Sequence, residues 1–298
     1  MIVDGTPRLE GTVLRQDLKI SYQVFGDGPR AILLLPTWSI VHSDFWRHQV
    51  PHFARDYTVV AFDGLGNGGS DRPTDPDAYS DYLFADDALA VLDAVGVREA
   101  VSLSVSAGAG WNLLLASRHP DRIPAAVFVG SAIPFGPPAA HRSESLEKFN
   151  EALASHEGWL RFNRDYWSRD WPDFLRFFFG QCFTEADSEA QIEHFVQMGL
   201  ETTPEVIGAT VDAPGPGRDQ AIALAEAVRI PLLVIHGDDD AIINVGKGRE
   251  LARLTGAQYV ERPGEGHEPQ SRNPESTNAI IDDFLRRHYP ATLDPDAS

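Results

Sequence analysis

The chain has 298 residues, of which 43% are hydrophobic, and a formal net charge of -19. The length and hydrophobic fraction favour one large α/β domain or two small ones with a sizeable core. The negative charge argues against a nucleic-acid or anionic-membrane partner, because an excess of carboxylates repels phosphates. The single cysteine, Cys182, excludes an intrachain disulfide and a cysteine-based metal site.

The first ten residues, MIVDGTPRLE, have neither the basic nor the apolar region of a signal peptide. No apolar run approaches the length of a membrane span. We therefore expect a soluble, cytoplasmic protein without a membrane partner. The scattered histidines and carboxylates lack metal-ligand spacing, so we expect no metal and no cofactor.

In chain order, segment 11–29 first predicts a hairpin that turns near Gln16 and Asp17. Apolar runs typical of buried strands then alternate with helical patterns, such as the one at 81–96. These runs lie at 31–36, 57–62, 100–105, 125–130, 231–237 and 257–263. The alternation predicts an α/β fold with a doubly wound, mostly parallel sheet of eight strands flanked by helices.

The alternation stops after Ile133 and resumes near Val228. The intervening sequence is helical in pattern and rich in aromatic residues, with Pro and Gly at both ends. We predict a helical cap over 134–226 and a core formed by 1–133 and 227–298. An exposed part of the aromatic cap could support a homodimer.

The stretch VSLSVSAGAG at 101–110 places a strand directly before a helix. The sharp turn between them presents one side chain above the sheet, and the residues two positions before and after that side chain must be small. Ser106 meets this condition, with Ser104 before it and Gly108 after it. Ser102 and Ser104 fit the strand itself, so Ser106 is the candidate nucleophile.

A serine hydroxyl becomes a good nucleophile when an imidazole takes its proton and a carboxylate orients that imidazole. Two later strand ends supply these groups, in the sequences DDDAII at 238–243 and GEGHEP at 264–269. His236 lies at the end of an apolar run and is predicted to pack beneath the site. The sequence order is therefore serine, then carboxylates, then His267.

This order, with the motifs GDDD and GEGH, resembles the α/β-hydrolase superfamily in its capped, serine-nucleophile branch. The resemblance implies a catalytic triad of Ser106, Asp240 and His267. Asp238 and Asp239 remain alternatives for the acid, with Asp238 expected to brace the turn. The segment FDGLGNGGSDRP at 62–73 is similar to a family turn that we interpret as structural.

Acyl transfer also needs two N–H donors for the developing oxyanion. The resemblance implies that Ala107 provides one donor and the loop LPTWS at 35–39 the other. Here Pro36 and Thr37 stand where the family usually has His-Gly, so the N–H of Trp38 is the expected second donor and that of Thr37 is the alternative. The residues expected to line the substrate pocket are Thr37, Trp38, Val105, Ile133, Phe135, Trp167 and Ile242.

The resemblance implies a serine hydrolase that cleaves a carboxylic ester, lactone or thioester of a small to medium apolar substrate. Serine at the turn disfavours dehalogenases and epoxide hydrolases, which carry aspartate there. A carbon-carbon bond hydrolase, an acyltransferase or a lyase with the same triad stays open. So does a non-catalytic receptor for a small molecule.

Overall fold

The computed structural model describes residues 5–291, and within this range the strands form one sheet of eight. The strands are β1 Leu9–Arg15, β2 Leu18–Phe25, β3 Ala31–Leu34, β4 Thr58–Phe62, β5 Ala100–Val105, β6 Ala126–Val129, β7 Leu232–Gly237 and β8 Gln258–Arg262. Their order across the sheet is β1-β2-β4-β3-β5-β6-β7-β8. The pairs β1–β2 and β2–β4 are antiparallel and all other pairs are parallel. The predicted fold class and the N-terminal hairpin are therefore confirmed.

Helices cover both faces of this sheet. They are α1 Val50–Phe53, α2 Asp81–Ala94, α3 Gly108–Arg118, α4 Ala140–Glu147, α5 Arg164–Arg169, α6 Trp171–Cys182, α7 Glu189–Gly199, α8 Pro204–Val211, α9 Arg218–Ala227, α10 Val245–Thr255, α11 Pro269–Arg272 and α12 Pro274–His288. Buried side chains of α2, α3, α9 and α10 pack on one face, and those of α1 and α12 on the other. Within residues 5–291, no helix has the length and apolar character needed to cross a membrane.

The central strands are buried on both faces, which explains their nearly continuous apolar sequence. In β7, for example, Leu233 and Ile235 join the cluster under α12, whereas Leu232 and Val234 join the cluster under α3. This alternation fixes the register, because a slip of one residue would exchange the two sets. The carboxyl ends of β3, β5 and β7 consequently lie at one edge of the sheet.

Helices α4 to α8 lie between β6 and β7 and correspond to the segment predicted as a cap. Their centre is the buried indole of Trp167, whose ring lies 4.9 Å from Phe149, 5.0 Å from Phe162 and 4.7 Å from Phe174. The fully buried aromatic rings give the cap an apolar core of its own. Helix α9, which the prediction placed within the cap up to residue 226, packs on α3 and α10.

Candidate active site

Ser106 lies in the turn between β5 and α3, where its φ is 51°. A non-glycine residue in this left-handed region is strained, and the strain persists only where the surroundings hold the backbone. The N–H of Ser106 donates to the carbonyl of Val129 at 3.0 Å. Its own carbonyl accepts from the N–H groups of Ala109 and Ala132, both at 3.0 Å. These bonds tie the strained turn to β6 and to the start of α3.

The two serines of β5 hold helix α3 rather than face a cavity. Ser102 Oγ donates to Asn112 Oδ1 at 2.5 Å, and Asn112 Nδ2 donates to Ser104 Oγ at 2.9 Å. All three side chains are fully buried. Asn112 thereby fixes α3, whose N-terminal end carries the turn, and the sequence reasoning did not identify it.

Gly108 marks a close approach between the turn and the loop after β3. A Cβ at this position would lie 2.5 Å from the carbonyl oxygen of Pro36 but 3.5 Å from the Cβ of Ser104. The residue two positions after Ser106 must therefore be small mainly because of Pro36, and not because of Ser104 as the sequence predicted. The turn and the 36–39 loop are in backbone contact, and no side chain fits between them.

The carboxylate of Asp240 follows β7 and contacts two histidines through one oxygen. His267 Nδ1 lies 2.8 Å from Oδ2, and His236 Nε2 lies 3.0 Å from the same atom. The other oxygen, Oδ1, accepts from the N–H groups of Ile242 and Ile243, both at 2.8 Å. The carboxylate is completely buried, so these contacts hold it in one orientation.

These contacts shift both pKa values. Burial by itself would raise the pKa of Asp240, but the charge of His267 and hydrogen bonds from His236 and His267 hold it well below its usual range. Burial would lower the pKa of His267, but the Asp240 carboxylate, assisted by Glu268, raises it above the ordinary value of 6.5. Asp240 is thus ionised at neutral pH, and His267 is a stronger base than a free histidine.

The neighbouring carboxylates have other partners. Asp238 Oδ1 accepts from the N–H of Gly264 at 2.6 Å, which braces the turn as the sequence predicted. Asp239 is exposed, and its N–H donates to the carbonyl of Glu265 at 3.1 Å. Among these three aspartates of the described chain, only Asp240 contacts His267.

The expected oxyanion donors are the N–H groups of Trp38 and Ala107. Within residues 5–291, neither donates a hydrogen bond to a protein group, so both are available. The indole of Trp38 reaches into the cap, where its Nε1 donates to Thr210 Oγ1 at 2.7 Å. Its ring meets Phe178 edge to face at 5.2 Å. The cap therefore holds the side chain of the residue that is expected to supply the second donor.

Ser106 and His267 line the same small cavity of about 20 Å³, which has room for roughly one water molecule. The complete lining is Thr37, Trp38, Ile40, Val41, Ser106, Phe178, Phe179, Cys182, Phe195, His267 and Glu268. In the described chain no hydrogen bond joins the Ser106 hydroxyl to His267. Such bonds are often long in unliganded enzymes and shorten when substrate binds.

The predicted pocket residues occupy three environments. Thr37 and Trp38 line the cavity with Ser106. Ile242 lines a neighbouring pocket of about 120 Å³ together with Arg142 and Lys247. The others are buried in the packed interior and do not line the cavity: Val105, Ile133, Phe135 and Trp167.

Sequence reasoning missed Glu268 and Cys182 as cavity residues. Glu268 directly follows His267, so its position next to the base was a usable signal. Cys182 ends α6, and its carbonyl accepts from the N–H of His267 at 3.0 Å. Burial raises the pKa of its thiol, with a further contribution from Glu268. No group of three or more His, Cys, Asp or Glu residues in the described part is arranged to hold a metal ion.

A known family and several known proteins resemble this chain over most of its length. A family model described as alpha/beta hydrolase fold matches residues 30–274. The 2-hydroxymuconate semialdehyde hydrolase of Pseudomonas sp. (strain CF600) is 29% identical over 246 residues, which is 80% of each chain. The 3-oxoadipate enol-lactonase 2 of Acinetobacter baylyi is 22% identical, over 93% of this chain and 96% of its own. The crystal structure of an esterase from Rhodococcus sp. ECU1013 is 24% identical with a TM-score of 0.76, covering 97% of this chain and all of the other.

Proposed function

Since the chain belongs to the alpha/beta hydrolase fold family, we propose that it is a serine hydrolase that forms an acyl-enzyme on Ser106. Its substrate is a carboxylic ester, lactone or thioester with a small to medium apolar acyl part. The observation that carries this proposal is the buried Asp240–His267 pair, in which His267 lines one cavity with the strained Ser106. Aromatic side chains form much of that cavity wall, which supports an apolar acyl group.

In the first half of the reaction, His267 Nε2 accepts the proton of the Ser106 hydroxyl while Oγ attacks the substrate carbonyl carbon. The N–H groups of Ala107 and Trp38 stabilise the oxyanion of the tetrahedral intermediate. The intermediate collapses, the bond to the leaving group breaks, and that group takes the proton from His267. The acyl group is now an ester of Ser106.

In the second half, a water molecule takes the place of the leaving group. His267 accepts a proton from this water as its oxygen attacks the acyl carbon. The second tetrahedral intermediate then releases the carboxylic acid, and Ser106 regains its proton from His267. Asp240 keeps the proton of His267 on Nδ1 throughout, so Nε2 can accept and donate the proton that is transferred in each step.

A carbon-carbon bond hydrolase with the same triad is the second candidate. The relative named 2-hydroxymuconate semialdehyde hydrolase favours it, at 29% identity. A panel of esters of increasing chain length, lactones and β-diketones distinguishes the two, because only a carbon-carbon hydrolase cleaves the β-diketones faster than the esters.

Labelling with a fluorophosphonate, followed by mass spectrometry of the modified peptide, tests the nucleophile. We expect the adduct on Ser106, and we expect Ser106→Ala to lose the label and to lower kcat by up to about 10⁶. Ser104→Ala is the matched control, because Ser104 is buried two residues earlier and bonds to Asn112. Retained ester turnover in Ser106→Ala, or no adduct on Ser106, would refute the proposal.

A further inference from the structure

The carboxyl group of Glu268 lies beside the reacting nitrogen of His267, in the cavity that also contains Ser106. Its Oε1 is 4.0 Å from His267 Nε2, and its Oε2 accepts a hydrogen bond from Gln270 Nε2. In residues 5–291, no protein donor makes a hydrogen bond to Oε1. Because Asp240 keeps the imidazole proton on Nδ1, the cavity presents two acceptor atoms side by side, Glu268 Oε1 and His267 Nε2.

The spacing of these two acceptors suits one water molecule. Hydrogen bonds of water are about 2.8 Å long, so a water bonded to two acceptors 4.0 Å apart sees them at an angle of roughly 90°. This is close to the angle between the two O–H bonds of water. The cavity of about 20 Å³ has room for one such molecule. Because Ser106 lines the same cavity, an acyl group on its Oγ lies next to this water.

Hydrogen bonds around Glu268 keep its Oε1 in place. The carbonyl of Glu268 accepts from the N–H groups of Ser271 at 3.0 Å and Arg272 at 2.9 Å. Gln270 donates to Oε2, and its own carbonyl accepts from Gln49 Nε2 at 2.9 Å. The Glu268 side chain is only 6% exposed, so it has little space in which to turn away. Oε1 is therefore a fixed acceptor, as a group that orients a reactant must be.

We infer that Glu268 selects water over alcohols as the acceptor of the acyl group on Ser106, and so makes the protein a hydrolase rather than an acyltransferase. The inference rests on the proposed function and concerns its second half. Water has two O–H bonds and donates to His267 Nε2 and Glu268 Oε1 together. An alcohol has one O–H bond, which it must give to His267 in order to react. It therefore leaves a buried carboxylate oxygen without a donor, which is costly.

Glu268 changes none of its own covalent bonds in this step. The water oxygen attacks the acyl carbon, one proton moves to His267 Nε2, and the other stays on the oxygen while it donates to Glu268 Oε1. The tetrahedral intermediate then breaks its bond to Ser106 Oγ, which takes the proton from His267, and the carboxylic acid leaves. The attacking water gains positive charge, which strengthens its bond to Oε1, so Glu268 stabilises the transition state more than the bound water.

The protonation state of Glu268 decides whether Oε1 accepts a hydrogen bond. Burial raises the pKa of its carboxyl to about 7. The titratable groups that face this carboxyl are those of His267, Asp240, Glu185 and Cys182. Because Gln270 donates to Oε2, the proton of the neutral acid lies on Oε1, which then donates instead of accepting. The selection of water should therefore weaken as the pH falls below about 7.

The partition of one acyl-enzyme between water and methanol tests this inference. p-Nitrophenyl acetate forms the acetyl-enzyme, and gas chromatography measures the methyl acetate and acetate formed at a fixed methanol concentration and pH 8. In Glu268→Gln the amide oxygen keeps the bond from Gln270, so the amide N–H₂, a donor, replaces the acceptor Oε1. We expect the ratio of methyl acetate to acetate to rise about tenfold in this variant, the effect of losing one hydrogen bond to a charged group.

Glu265→Gln is the matched control, since Glu265 is also a buried acid of this loop but pairs with Arg262 outside the cavity. Its product ratio should equal that of the wild type. From pH 8 to pH 6 the ratio should rise in the wild type and stay constant in Glu268→Gln. His267 accepts the proton of either nucleophile, so its own ionisation cancels from the ratio. A ratio that Glu268→Gln leaves unchanged, or that Glu265→Gln raises equally, overturns the inference.

Intact-protein mass spectrometry separates this inference from the proposed function, because it shows whether the acetyl-enzyme forms. The product ratio is set after acetylation, so a smaller fraction of folded protein in a variant does not alter it. No acetyl group on Ser106 of the wild type refutes the proposed function. An acetyl-enzyme whose partition is the same with and without Glu268 overturns the inference alone.

Discussion

Asp240 binds two histidines through one oxygen, yet only His267 lines the cavity. His236 is fully buried at the end of β7, where its Nε2 approaches Oδ2 from the sheet side. With Oδ1 held by two backbone N–H groups, the carboxylate has no freedom to rotate away from His267. His236 thus acts through Asp240, as a positioning residue for the base.

For a neutral ester, we predict how kcat/KM depends on pH. The value of kcat/KM should fall as the pH decreases through the pKa of His267, because an imidazolium cannot accept the proton of Ser106. Since Asp240 and Glu268 raise that pKa, the midpoint should lie above 6.5. Initial rates at low substrate concentration, measured from about pH 5 to pH 9, give this midpoint.

The pH profile of kcat/KM in two variants shows whether Glu268 raises the pKa of His267. Glu268→Gln should move the midpoint to lower pH, because it removes a carboxylate that favours the imidazolium. Glu265→Gln should leave the midpoint in place, since its carboxyl pairs with Arg262. A wild-type midpoint below 6.5, or equal midpoints in both variants, would contradict this account of the base.

At the scale of elements, Trp38 connects the cap to the 36–39 loop. It lines the cavity with Ser106, while its indole donates to Thr210 of α8 and packs on Phe178 of α6. A displacement of the cap would therefore move the residue that we propose as an oxyanion donor. The cap is expected to affect the chemical step as well as substrate entry.

Thr210→Val tests this connection. Loss of the indole hydrogen bond should lower kcat several-fold through a misplaced oxyanion donor, and lower the free energy of unfolding by about 1 kcal/mol. Steady-state kinetics on a neutral ester and urea unfolding measure the two effects. Thr202→Val is the control, because Thr202 is a buried cap threonine whose hydroxyl has no partner among the described residues. Equal kcat values in both variants would show that Trp38 does not transmit the effect.

The sequence predicted the strands well because their cause is local: a strand buried on both faces must be apolar, as β7 is. The sequence also located the small residue Gly108 in the turn, although its main cause is the approach of Pro36, which is distant in sequence. Parallel strands that end at one edge of the sheet predicted that an aspartate after β7 and His267 lie close together, while the choice of Asp240 came from the family motif. These features require no knowledge of side-chain packing in the cap.

The pocket could not be predicted in the same way. Val105 and Trp167 look like lining residues because they are apolar and near the site in sequence or in the cap, but both are buried in the core clusters. Which rings face the cavity depends on how α6 packs against Trp38, a contact between residues far apart in sequence. Glu268 was missed because charged side chains are rarely buried unless paired.

At the scale of the whole molecule, the net charge of -19 creates a field that attracts cations. The value of kcat/KM for an ester of a cationic alcohol, such as a choline ester, should therefore fall several-fold between low salt and about 0.5 M NaCl, as screening shortens the range of that field. The uncharged 3,3-dimethylbutyl ester of the same acid serves as the control and should change little. Equal salt effects on both esters would indicate a general effect on the protein instead.

The reactivity of Cys182 toward thiol reagents can be used to detect movement of the cap. Cys182 is the single cysteine of the chain, it is 2% exposed, and it lines the cavity that contains Ser106. A thiol reagent reaches it only in molecules whose cavity has opened, so its alkylation rate counts opening events. Opening of the cavity can be measured in this way without an introduced label. Ligands that hinder opening can be ranked by how much they slow the alkylation of Cys182.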